Sequence, residues 1–526
     1  MNITKTSIVL ALTFGLFSGA AVLALEHKDV LKLADETVKP VSETLLNAKL
    51  NKSAWYPSFH LASSGHSMNQ PNALTAFNGT YHLFYQHDIK TKDGNKTVWG
   101  HATSPDFIHW KHLKSAIAPS ESYDKDGVFS GSAIADDGLL YLLYTGYAEN
   151  KQNEKTIKHE TQNLAMSKDG INFGKSANNS VIKMAPHYSY LEFSSEKFRD
   201  PHVWKLEDRF YALVGTQYEK TKDGAVLLFK SKDLRNWVCI NVTALGQKGE
   251  MGDMWENPSL IHITGNDVLS ISTQGIKPHE KMYLNKYQSG AFVGKLDYDT
   301  GRFSQKGAFM LYDYGFDFYA PQFITTPDSR HVFVAWLGMD GTEMPEQLEN
   351  WSGMMTIPRE LKVVNGKIKT YPIKELEILR TDKISLSNQI LNGEKEFSNI
   401  KGEVYELDTC VDLTNAKSFA IKLRTSSVHE TVLSYDKDTK ILKLNRDKSG
   451  KSLKGEREIS LPVSNNKLKL RIFVDRSSIE VFADDGAAAM SARIYPDKNS
   501  TGIKFISNGE SRIEKLDFYR LKSIYN

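Results

Sequence analysis

The stretch LFKSKDLRNW, residues 228–237, contains the pattern that decides the fold. It places an apolar strand before a turn that contains aspartate, and it ends on an aromatic residue. Equivalent phrases are HATSPDFIHW (101–110), LAMSKDGINF (164–173) and KLDYDTGRF (295–303). Their final residues, Trp110, Phe173, Trp237 and Phe303, lie 63, 64 and 66 residues apart. A fixed period of this length indicates a repeat architecture.

A second phrase repeats with a similar period and consists of a short apolar strand after a turn. Its five copies are NGTYHLFYQ (78–86), DGLLYLLYTG (137–146), EDRFYALVG (207–215), NDVLSISTQG (266–275) and DSRHVFVAWLG (328–338). Strands between turn residues, with almost no helical periodicity, predict an all-β chain. Five units closed into a ring leave only short sheet edges exposed, so we expect a five-bladed β-propeller over residues 51–375. The alternative is a plain array of sandwich strands with chance similarity between turns.

The repeated phrases stop after Pro372, where the composition changes to lysine, serine, asparagine and leucine. The segment KLKLRIFVDRSSIEVFADDGAAAMSARIYP (467–496) alternates apolar and polar residues between turns. This pattern is typical of antiparallel hairpins. We therefore predict a C-terminal β-sandwich domain over residues 385–526.

The chain begins with MNITKTSIVLALTFGLFSGAAVLALEHKD, residues 1–29. One lysine, an apolar run and small residues near Ala24 are typical of a secretory signal peptide, which we place at residues 1–24. Residues 25–50 form an N-terminal extension with helical spacing, either a short helix or a flexible lead-in. An uncleaved membrane anchor is the alternative for the apolar run. We expect a secreted protein, extracellular or periplasmic, without a membrane span after signal cleavage.

The overall charge is nearly balanced, with 66 lysines and arginines against 63 aspartates and glutamates. A formal charge of +3 gives no reason to expect a nucleic-acid partner. The two cysteines, Cys239 and Cys410, are too few for a disulfide framework or a cysteine metal cluster. The histidines show no ligand spacing, so we expect no metal and no cofactor.

Counting back from the second phrase locates the first strand of each repeat. These strand starts are NQPN (69–72), FSGS (129–132), FRDP (198–201), WENP (255–258) and YAPQ (319–322). Equivalent positions of a repeat occupy equivalent places around a ring, so their side chains should converge on one mouth of the central channel. The expected funnel is lined by Asn69, Ser130, Arg199, Asp200, Trp255, Glu256 and Tyr319.

A funnel of this composition suits a sugar, because hydroxyl groups pair with carboxylates and amides while aromatic rings cover the apolar face. Asp200 and Glu256 come from different repeats. Glycoside hydrolysis uses two carboxyl groups, one of which protonates the leaving oxygen. The alternative treats FRDP and WENP as structural strand starts.

The motifs resemble glycoside hydrolase family 32, the invertases, levanases, inulinases and sucrose-6-phosphate hydrolases. The resemblance runs through WYPSFH, NGTYHLFYQ, VWGHATSPDFIHW, YDKDGVFSGSA, FRDPHVW, MWENPSL, DYGFDFYAPQ and RIFVDRSSIEVFADDG, nearly the whole chain after the signal stretch. It implies a five-bladed propeller followed by a β-sandwich, and a retaining hydrolase of β-fructofuranosides. The implied partner is a small or polymeric β-fructoside: sucrose, levan or inulin.

The resemblance also implies roles for individual residues. Glu256 would be the general acid/base, and Asp200 would hold fructose hydroxyls and stabilise the transition state. The remaining substrate-binding positions are Asn69, Gln86, Trp99, Phe129, Ser130 and Arg199.

The sequence departs from the family pattern at the nucleophile. The family has Trp-Met-Asn-Asp-Pro-Asn-Gly, whereas this chain has SMNQPNA, residues 67–73, which puts Gln70 in place of the aspartate. A neutral amide cannot act as a nucleophilic carboxylate. Nearby, Asn257 stands where the family has cysteine.

Three hypotheses follow from this substitution. The first is a β-fructofuranosidase with impaired or lost hydrolysis, whose missing carboxylate is at best replaced by Asp124, Asp126 or Asp317. The second is a non-catalytic fructoside-binding pseudoenzyme. The third is that Gln70 was introduced into an otherwise active enzyme, which the accompanying changes at Ser67 and Ala73 make less attractive.

Overall fold

The computed structural model describes residues 30–33, 52–91, 94–152, 155–188, 191–263, 265–451 and 453–525. It confirms the predicted all-β fold. Five small, mainly antiparallel sheets are followed by a nine-stranded C-terminal sheet. The predicted signal peptide, residues 1–24, lies outside the described residues.

Blades 1 to 3 take up the N-terminal half of the described chain. The strands are β1 (Val30–Leu33), β2 (His66–Phe77), β3 (Thr80–Thr91), β4 (Gly94–Ser104), β5 (Lys111–Ile117), β6 (Gly127–Asp136), β7 (Leu139–Gln152), β8 (Lys155–Ser167), β9 (Gly174–Ser176), β10 (His187–Tyr188), β11 (Leu191–Leu206), β12 (Arg209–Tyr218), β13 (Gly224–Ser231) and β14 (Trp237–Leu245). Blade 1 contains β2–β5, blade 2 contains β6–β9, and blade 3 contains β11–β14. The short strand β10 pairs with β11 on the side away from β12. Strand β1 pairs with β9 at the outer edge of blade 2, so this part of the extension is a strand and the helical prediction is wrong there.

Blades 4 and 5 complete the propeller. The elements are β15 (Met254–Ile263), β16 (Asn266–Gln274), β17 (Tyr287–Leu296), β18 (Phe303–Gln305), β19 (Met310–Leu311), β20 (Tyr319–Thr325), β21 (His331–Trp336), a 3-10 helix (Pro345–Glu349), β22 (Trp351–Ser352), β23 (Arg359–Val364), β24 (Lys367–Pro372) and a second 3-10 helix (Lys374–Leu379). Blade 4 contains β15–β19, and blade 5 contains β20, β21, β23 and β24.

The five first strands of the blades form a closed ring. Strand β2 contacts β6, β6 contacts β11, β11 contacts β15, β15 contacts β20, and β20 contacts β2. Strand β22 pairs in parallel with β2, with Trp351 opposite His66. The connection between β21 and β23 of blade 5 therefore adds a short strand to blade 1 and links the last repeat to the first.

The two repeated phrases correspond to two fixed places in a blade. The second phrase forms the second strand of each blade, and the first phrase forms the turn between the third and fourth strands of blades 1 to 4. In three of these turns an aspartate accepts a hydrogen bond from a serine two residues earlier: Asp106 at 3.1 Å, Asp169 at 2.9 Å and Asp233 at 3.1 Å. The same carboxylates accept backbone N–H groups further along the turn, which explains why the turn needs this residue.

The C-terminal domain is a nine-stranded antiparallel sheet that bends into a nearly closed sandwich. Its elements are β25 (Arg380–Glu396), β26 (Tyr405–Thr425), β27 (Glu430–Asp436), β28 (Ile441–Lys448), β29 (Glu456–Ser460), a 3-10 helix (Ser464–Asn466), β30 (Lys467–Asp475), β31 (Ser478–Ala483), β32 (Ala488–Arg493) and β33 (Gly502–Leu521). Residues 405–412 of β26 pair with β30, residues 418–423 pair with β27, and β33 runs along the other edge. One long strand therefore belongs to both layers.

Buried charges connect the propeller to the sandwich. His60 Nδ1 lies 2.8 Å from Asp475 Oδ2, and His60 Nε2 lies 2.8 Å from Glu480 Oε1. Arg359, fully buried, donates to Asp313 at 2.9 Å and also to Glu480. Burial alone lowers the pKa of His60, but its two carboxylate partners raise it to about 9. His60 is therefore a charged structural residue of the interface.

Cys239, in β14, and Cys410, in β26, are not joined by a disulfide. Within the described residues, none of the helices has the length and apolar character needed to cross a membrane. The same residues contain no cluster of three or more histidine, cysteine, aspartate or glutamate side chains arranged to hold a metal ion.

Candidate active site

The first strand of every blade contains a β-bulge near its start. The pairing register shifts after Met68, Phe129, Arg199, Glu256 and Tyr319. A bulge bends its strand and re-aims the side chains next to it. The five strand starts picked out from the repeat are therefore the places where the backbone can turn side chains toward the channel mouth.

In three blades the backbone at the bulge enters the left-handed region. The φ angles are 64° at Asp200, 47° at Asn257 and 52° at Ala320. Such angles are uncommon for residues other than glycine and occur where the surrounding structure holds them, often at functional sites. Each of these residues follows directly after a cavity-lining side chain, namely Arg199, Glu256 or Tyr319.

A cavity of about 1030 Å³ opens at this mouth. Eight of the residues expected in the site line it: Asn69, Gln70, Gln86, Phe129, Arg199, Asp200, Glu256 and Tyr319. Two others, Trp99 and Ser130, are fully buried and do not line it. Trp99 supports the wall, because its Nε1 donates to the carbonyl oxygen of Phe129 at 2.9 Å.

The expectation that Trp255 lines the funnel is wrong. Its ring is 2% exposed, its Nε1 donates to the Met251 carbonyl oxygen at 2.8 Å, and it packs over Gly224. A Cβ at Gly224 would lie 2.3 Å from Trp255 Cδ1, so only glycine leaves room for the ring. Neighbouring side chains of a strand point to opposite faces, and Glu256 takes the face toward the cavity.

Glu256 is held from two sides. Arg199 Nε and Nη2 lie 2.9 and 2.8 Å from Glu256 Oε1, and the Tyr319 hydroxyl donates to Oε2. Burial and the Glu256 charge raise the pKa of Tyr319 well above its usual value, so this hydroxyl remains a donor. The Glu256 carboxyl group is thus fixed in orientation at the cavity wall.

Asp200 is 2% exposed and accepts a hydrogen bond from the Asn257 N–H at 3.1 Å. Burial first, and then the charge of Glu256, raise the pKa of Asp200 to about 8, against the opposing effect of Arg199. The Asp200 side chain is therefore largely protonated at neutral pH in the free protein and can donate a hydrogen bond.

Sequence reasoning missed Glu160, which lines the cavity and lies on β8 rather than on a first strand. Glu160 accepts Arg199 Nη1 at 3.1 and 3.2 Å and the Phe198 N–H at 2.6 Å. Burial raises the pKa of Glu160, and Arg199 opposes this effect. Arg199 is thus shared between Glu160 and Glu256. No motif indicated Glu160, because its place depends on the pairing of β8 with β7.

Gln70 lies in the cavity as an uncharged group. Its Nε2 donates to Ser130 Oγ at 2.9 Å, and the Ser130 hydroxyl donates to Asn72 Oδ1 at 2.8 Å. Asn72 Nδ2 is buried and has no hydrogen-bond partner among the residues that the structure describes. Gln70 therefore donates a hydrogen bond where a carboxylate would accept one.

The three aspartates considered as replacements for the carboxylate lie elsewhere. Asp124 is fully buried and pairs with Lys175 at 2.5 Å. Asp126 is exposed and accepts the backbone N–H of Glu149. Asp317 accepts Arg446 Nη1 at 2.6 Å at the interface with the sandwich. None of these three aspartates lines the cavity, so the structure does not support such a replacement.

Aromatic rings lie on two sides of the cavity. Phe129 and Tyr147 stack with centroids 4.7 Å apart, and Tyr287 lies 5.3 Å from Tyr319. All four line the cavity. Apolar ring faces beside carboxyl and amide groups are the combination that sugar recognition needs. The site can bind a sugar and transfer a proton, and its position 70 supplies no nucleophilic oxygen anion.

Comparison with known proteins gives a consistent result. The glycosyl hydrolases family 32 N-terminal domain matches residues 60–372, and the family 32 C-terminal domain matches residues 375–520. A sucrose-6-phosphate hydrolase of Zymomonas mobilis is 36% identical over 490 residues, which are 90% of this chain and 92% of that protein. A raffinose invertase of Escherichia coli is 37% identical over 491 residues, 92% of this chain and 98% of that protein.

Solved structures agree with the sequence matches. The family 32 β-fructofuranosidase of Bombyx mori is 30% identical, covers 92% of this chain and 97% of its own, and has a TM-score of 0.77. An Asp-to-Ala variant of the same protein is described in complex with sucrose and matches equally well. With both domains matched across nearly the whole described length, the chain belongs to glycosyl hydrolases family 32.

Proposed function

We propose that the protein is an exported glycosidase of the β-fructofuranosidase class that acts on sucrose or fructans, with hydrolysis strongly reduced or absent. The observation that carries this proposal is the neutral Gln70 amide in a cavity that also holds the Asp200 and Glu256 carboxyl groups. The Zymomonas mobilis, Escherichia coli and Bombyx mori relatives, by their names, support a sucrose- or fructan-type substrate.

In this proposal Glu256 is the general acid that protonates the leaving oxygen and the general base that later activates water. Arg199 and Tyr319 hold its carboxyl group in position. Asp200, protonated at neutral pH, donates a hydrogen bond to a fructose hydroxyl. Through this contact it stabilises the transition state. Asn69 and Gln86 bind further hydroxyls from the blade 1 side.

The retaining mechanism has a second requirement that the chain does not meet. It needs a carboxylate that attacks the anomeric carbon and forms a glycosyl ester, which water then hydrolyses. The Gln70 amide carries no negative charge and is a poor nucleophile. Each factor of ten lost in rate corresponds to about 1.4 kcal/mol of activation free energy. We expect a loss of at least about a thousandfold relative to a carboxylate at position 70.

The second candidate is a fructoside-binding protein without turnover. It is favoured by the intact binding wall, because Asn69, Gln86 and Arg199 all line the cavity. The sucrose complex of the Bombyx mori Asp-to-Ala variant supports the idea that a member of this family can lose an aspartate and still bind its ligand. Export is proposed for both candidates from the N-terminal sequence, and N-terminal sequencing of protein recovered outside the cytoplasm would test it.

The test measures release of fructose and glucose from sucrose, levan and inulin by the natural protein, Gln70→Asp and Gln70→Asn. We expect the natural protein and the uncharged control Gln70→Asn to be inert or nearly so, and Gln70→Asp to gain at least about a thousandfold in kcat. Glu256→Gln should abolish the gained activity. If the natural protein already turns over rapidly and Gln70→Asp adds nothing, another group is the nucleophile and the proposal fails.

Calorimetry on the same proteins tests binding, and long incubations that detect slow formation of fructose separate the two candidates. An impaired enzyme and a binding protein both bind a fructoside, but only the former shows slow product release that Glu256→Gln removes. If the natural protein shows neither binding nor product with any of the three substrates, both candidates are refuted.

A further inference from the structure

Three side chains donate hydrogen bonds to one carboxylate just behind the cavity wall. Asp88 accepts the Asn69 Nδ2 group, the Gln86 Nε2 group at 3.4 Å to each oxygen, and Thr97 Oγ1 at 2.7 Å. Asp88 is half-buried on β3 and does not line the cavity, whereas Asn69 and Gln86 do. Burial raises the pKa of Asp88, and hydrogen bonds from these three donors oppose that effect.

The chemistry of a carboxylate fixes the direction of these amides. An ionised carboxylate only accepts hydrogen bonds, and an amide has one donating and one accepting end. The NH₂ ends of Asn69 and Gln86 therefore turn toward Asp88, and their carbonyl oxygens are left for the cavity. Thr97 lies directly opposite Asp88 in the β3–β4 pairing and donates to Oδ1, whereas Asn69 donates to Oδ2.

We propose that Asp88 is a positioning residue that makes this wall of the cavity a pair of hydrogen-bond acceptors. The wall then selects ligands that present hydroxyl donors, as a fructose ring does. The proposal deepens the proposed function and rests on it for the identity of the ligand. Asp88 itself does not touch the ligand and acts through Asn69 and Gln86.

A side chain of the same shape but different polarity distinguishes this role from a purely structural one. Asparagine at position 88 replaces one of the two accepting oxygens by a donating NH₂ group, so Asn69 and Gln86 must share the remaining oxygen or one of these amides must reverse to accept from the NH₂ group. The reversed amide presents its NH₂ group to the cavity. One acceptor for the ligand is then replaced by a donor, while the size of the side chain stays the same.

The binding experiment compares the natural protein, Asp88→Asn and the control Thr97→Val by calorimetry with fructose and with monodeoxyfluoro-fructoses. Fluorine cannot donate a hydrogen bond, so an acceptor wall should discriminate against analogues fluorinated at the hydroxyls it binds. We expect Asp88→Asn to bind fructose about tenfold more weakly and to lose most of this discrimination. Thr97→Val, which touches the same carboxylate away from the cavity, should keep the discrimination. Unchanged affinity and discrimination in Asp88→Asn would overturn the proposal.

A second measurement needs no ligand and keeps the two proposals separable. Side-chain amide ¹⁵N–¹H resonances of Asn69 and Gln86, assigned with Asn69→Asp and Gln86→Glu, report the groups that face Asp88. We expect Asp88→Asn to move both resonances, and Thr97→Val to move them much less. If the natural protein binds no fructoside but the resonances shift as expected, the proposed function fails while the positioning role stands. If neither resonance moves, the positioning role is wrong whatever the protein binds.

Asp88→Ser covers the case in which Asp88→Asn does not fold. Its side chain is shorter and offers a single uncharged oxygen in place of two carboxylate oxygens, so it should also weaken fructose binding and move at least one resonance. Full retention of affinity, discrimination and both resonances in Asp88→Ser would refute the positioning role.

Discussion

Replacing Asp200 by asparagine should stabilise the protein, and the gain should grow with pH. Asp200 is 2% exposed and its pKa is raised from 3.8 to about 8, so folding favours the neutral carboxyl group. Between these two values the native state holds a proton that the unfolded chain has released. The free energy of unfolding of the natural protein therefore falls as pH rises through this window. Asparagine does not titrate, and its carbonyl oxygen can still accept the Asn257 N–H.

The magnitude follows from the size of the shift. One pKa unit corresponds to about 1.4 kcal/mol, so the difference between Asp200→Asn and the natural protein should increase by about 2–3 kcal/mol from pH 5 to pH 7. Because Asp200 is almost fully buried, solvent screens this effect little. Urea denaturation at pH 5, 6 and 7, followed by tryptophan fluorescence, gives the free energies of unfolding to compare.

The matched control is Asp340→Asn, at another aspartate of the same cavity. The hydrogen bond from Lys286 is the main cause that lowers the pKa of Asp340, so its charged form is the one that folding favours. Removing that charge should give no gain at any of the three pH values. A difference for Asp200→Asn that does not change with pH, or that shrinks as pH rises, would refute the reasoning about the cavity charges.

Three further outcomes are expected. His60→Gln should lower the free energy of unfolding by about 2–3 kcal/mol more at pH 6 than at pH 9.5. The reason is that the raised pKa of His60 contributes stability that is complete below about pH 6.5 and is lost as the pH rises through about 9. Urea denaturation at both pH values checks this. Arg359→Met should cost about 3–5 kcal/mol in the same assay at pH 7, since it leaves two buried carboxylates without their guanidinium partner, and a cost below about 1 kcal/mol would contradict this. Gln70→Asp, expected to gain turnover, should lower the thermal unfolding temperature by a few degrees, whereas Gln70→Asn should not.

The repeat in the sequence was sufficient to locate the parts of the site that come from the first strands. The bulges in the first strands contain Asn69, Arg199, Asp200 and Glu256. Counting back from the second repeated phrase to the same position in each repeat therefore located all four. Trp255 shows the limit of that reasoning. The position of a residue within the repeat predicts how far along its strand it lies, whereas the alternation of side chains decides which face of the strand it occupies.

Glu160 and Asp88 could not be found in the same way. Both lie away from the first strands, on β8 and β3, and reach the site region only through pairing with neighbouring strands. The length of the β7–β8 hairpin decides which residue of β8 lies beside Arg199. A single sequence does not determine the pairing register of β7 with β8, because this hairpin is long and charged. What sequence reasoning misses here is the support behind the cavity-lining residues, because that support depends on cross-strand contacts.

The charges around Arg199 give a physical reason why a chain with Gln70 folds well. The Arg199 guanidinium already pairs with two carboxylates, Glu160 and Glu256, while burial first and the Glu256 charge second raise the pKa of Asp200 to about 8. A carboxylate at position 70 would add another negative group beside Ser130, whose hydroxyl already donates its proton to Asn72 Oδ1. Activity in a retaining glycosidase requires that unfavourable charge, and a sugar-binding site does not. In the proposed function Gln70 stands in place of a nucleophilic carboxylate, so the chain lacks a charge that catalysis requires and folding does not, which is the trade-off expected at a destabilised active site.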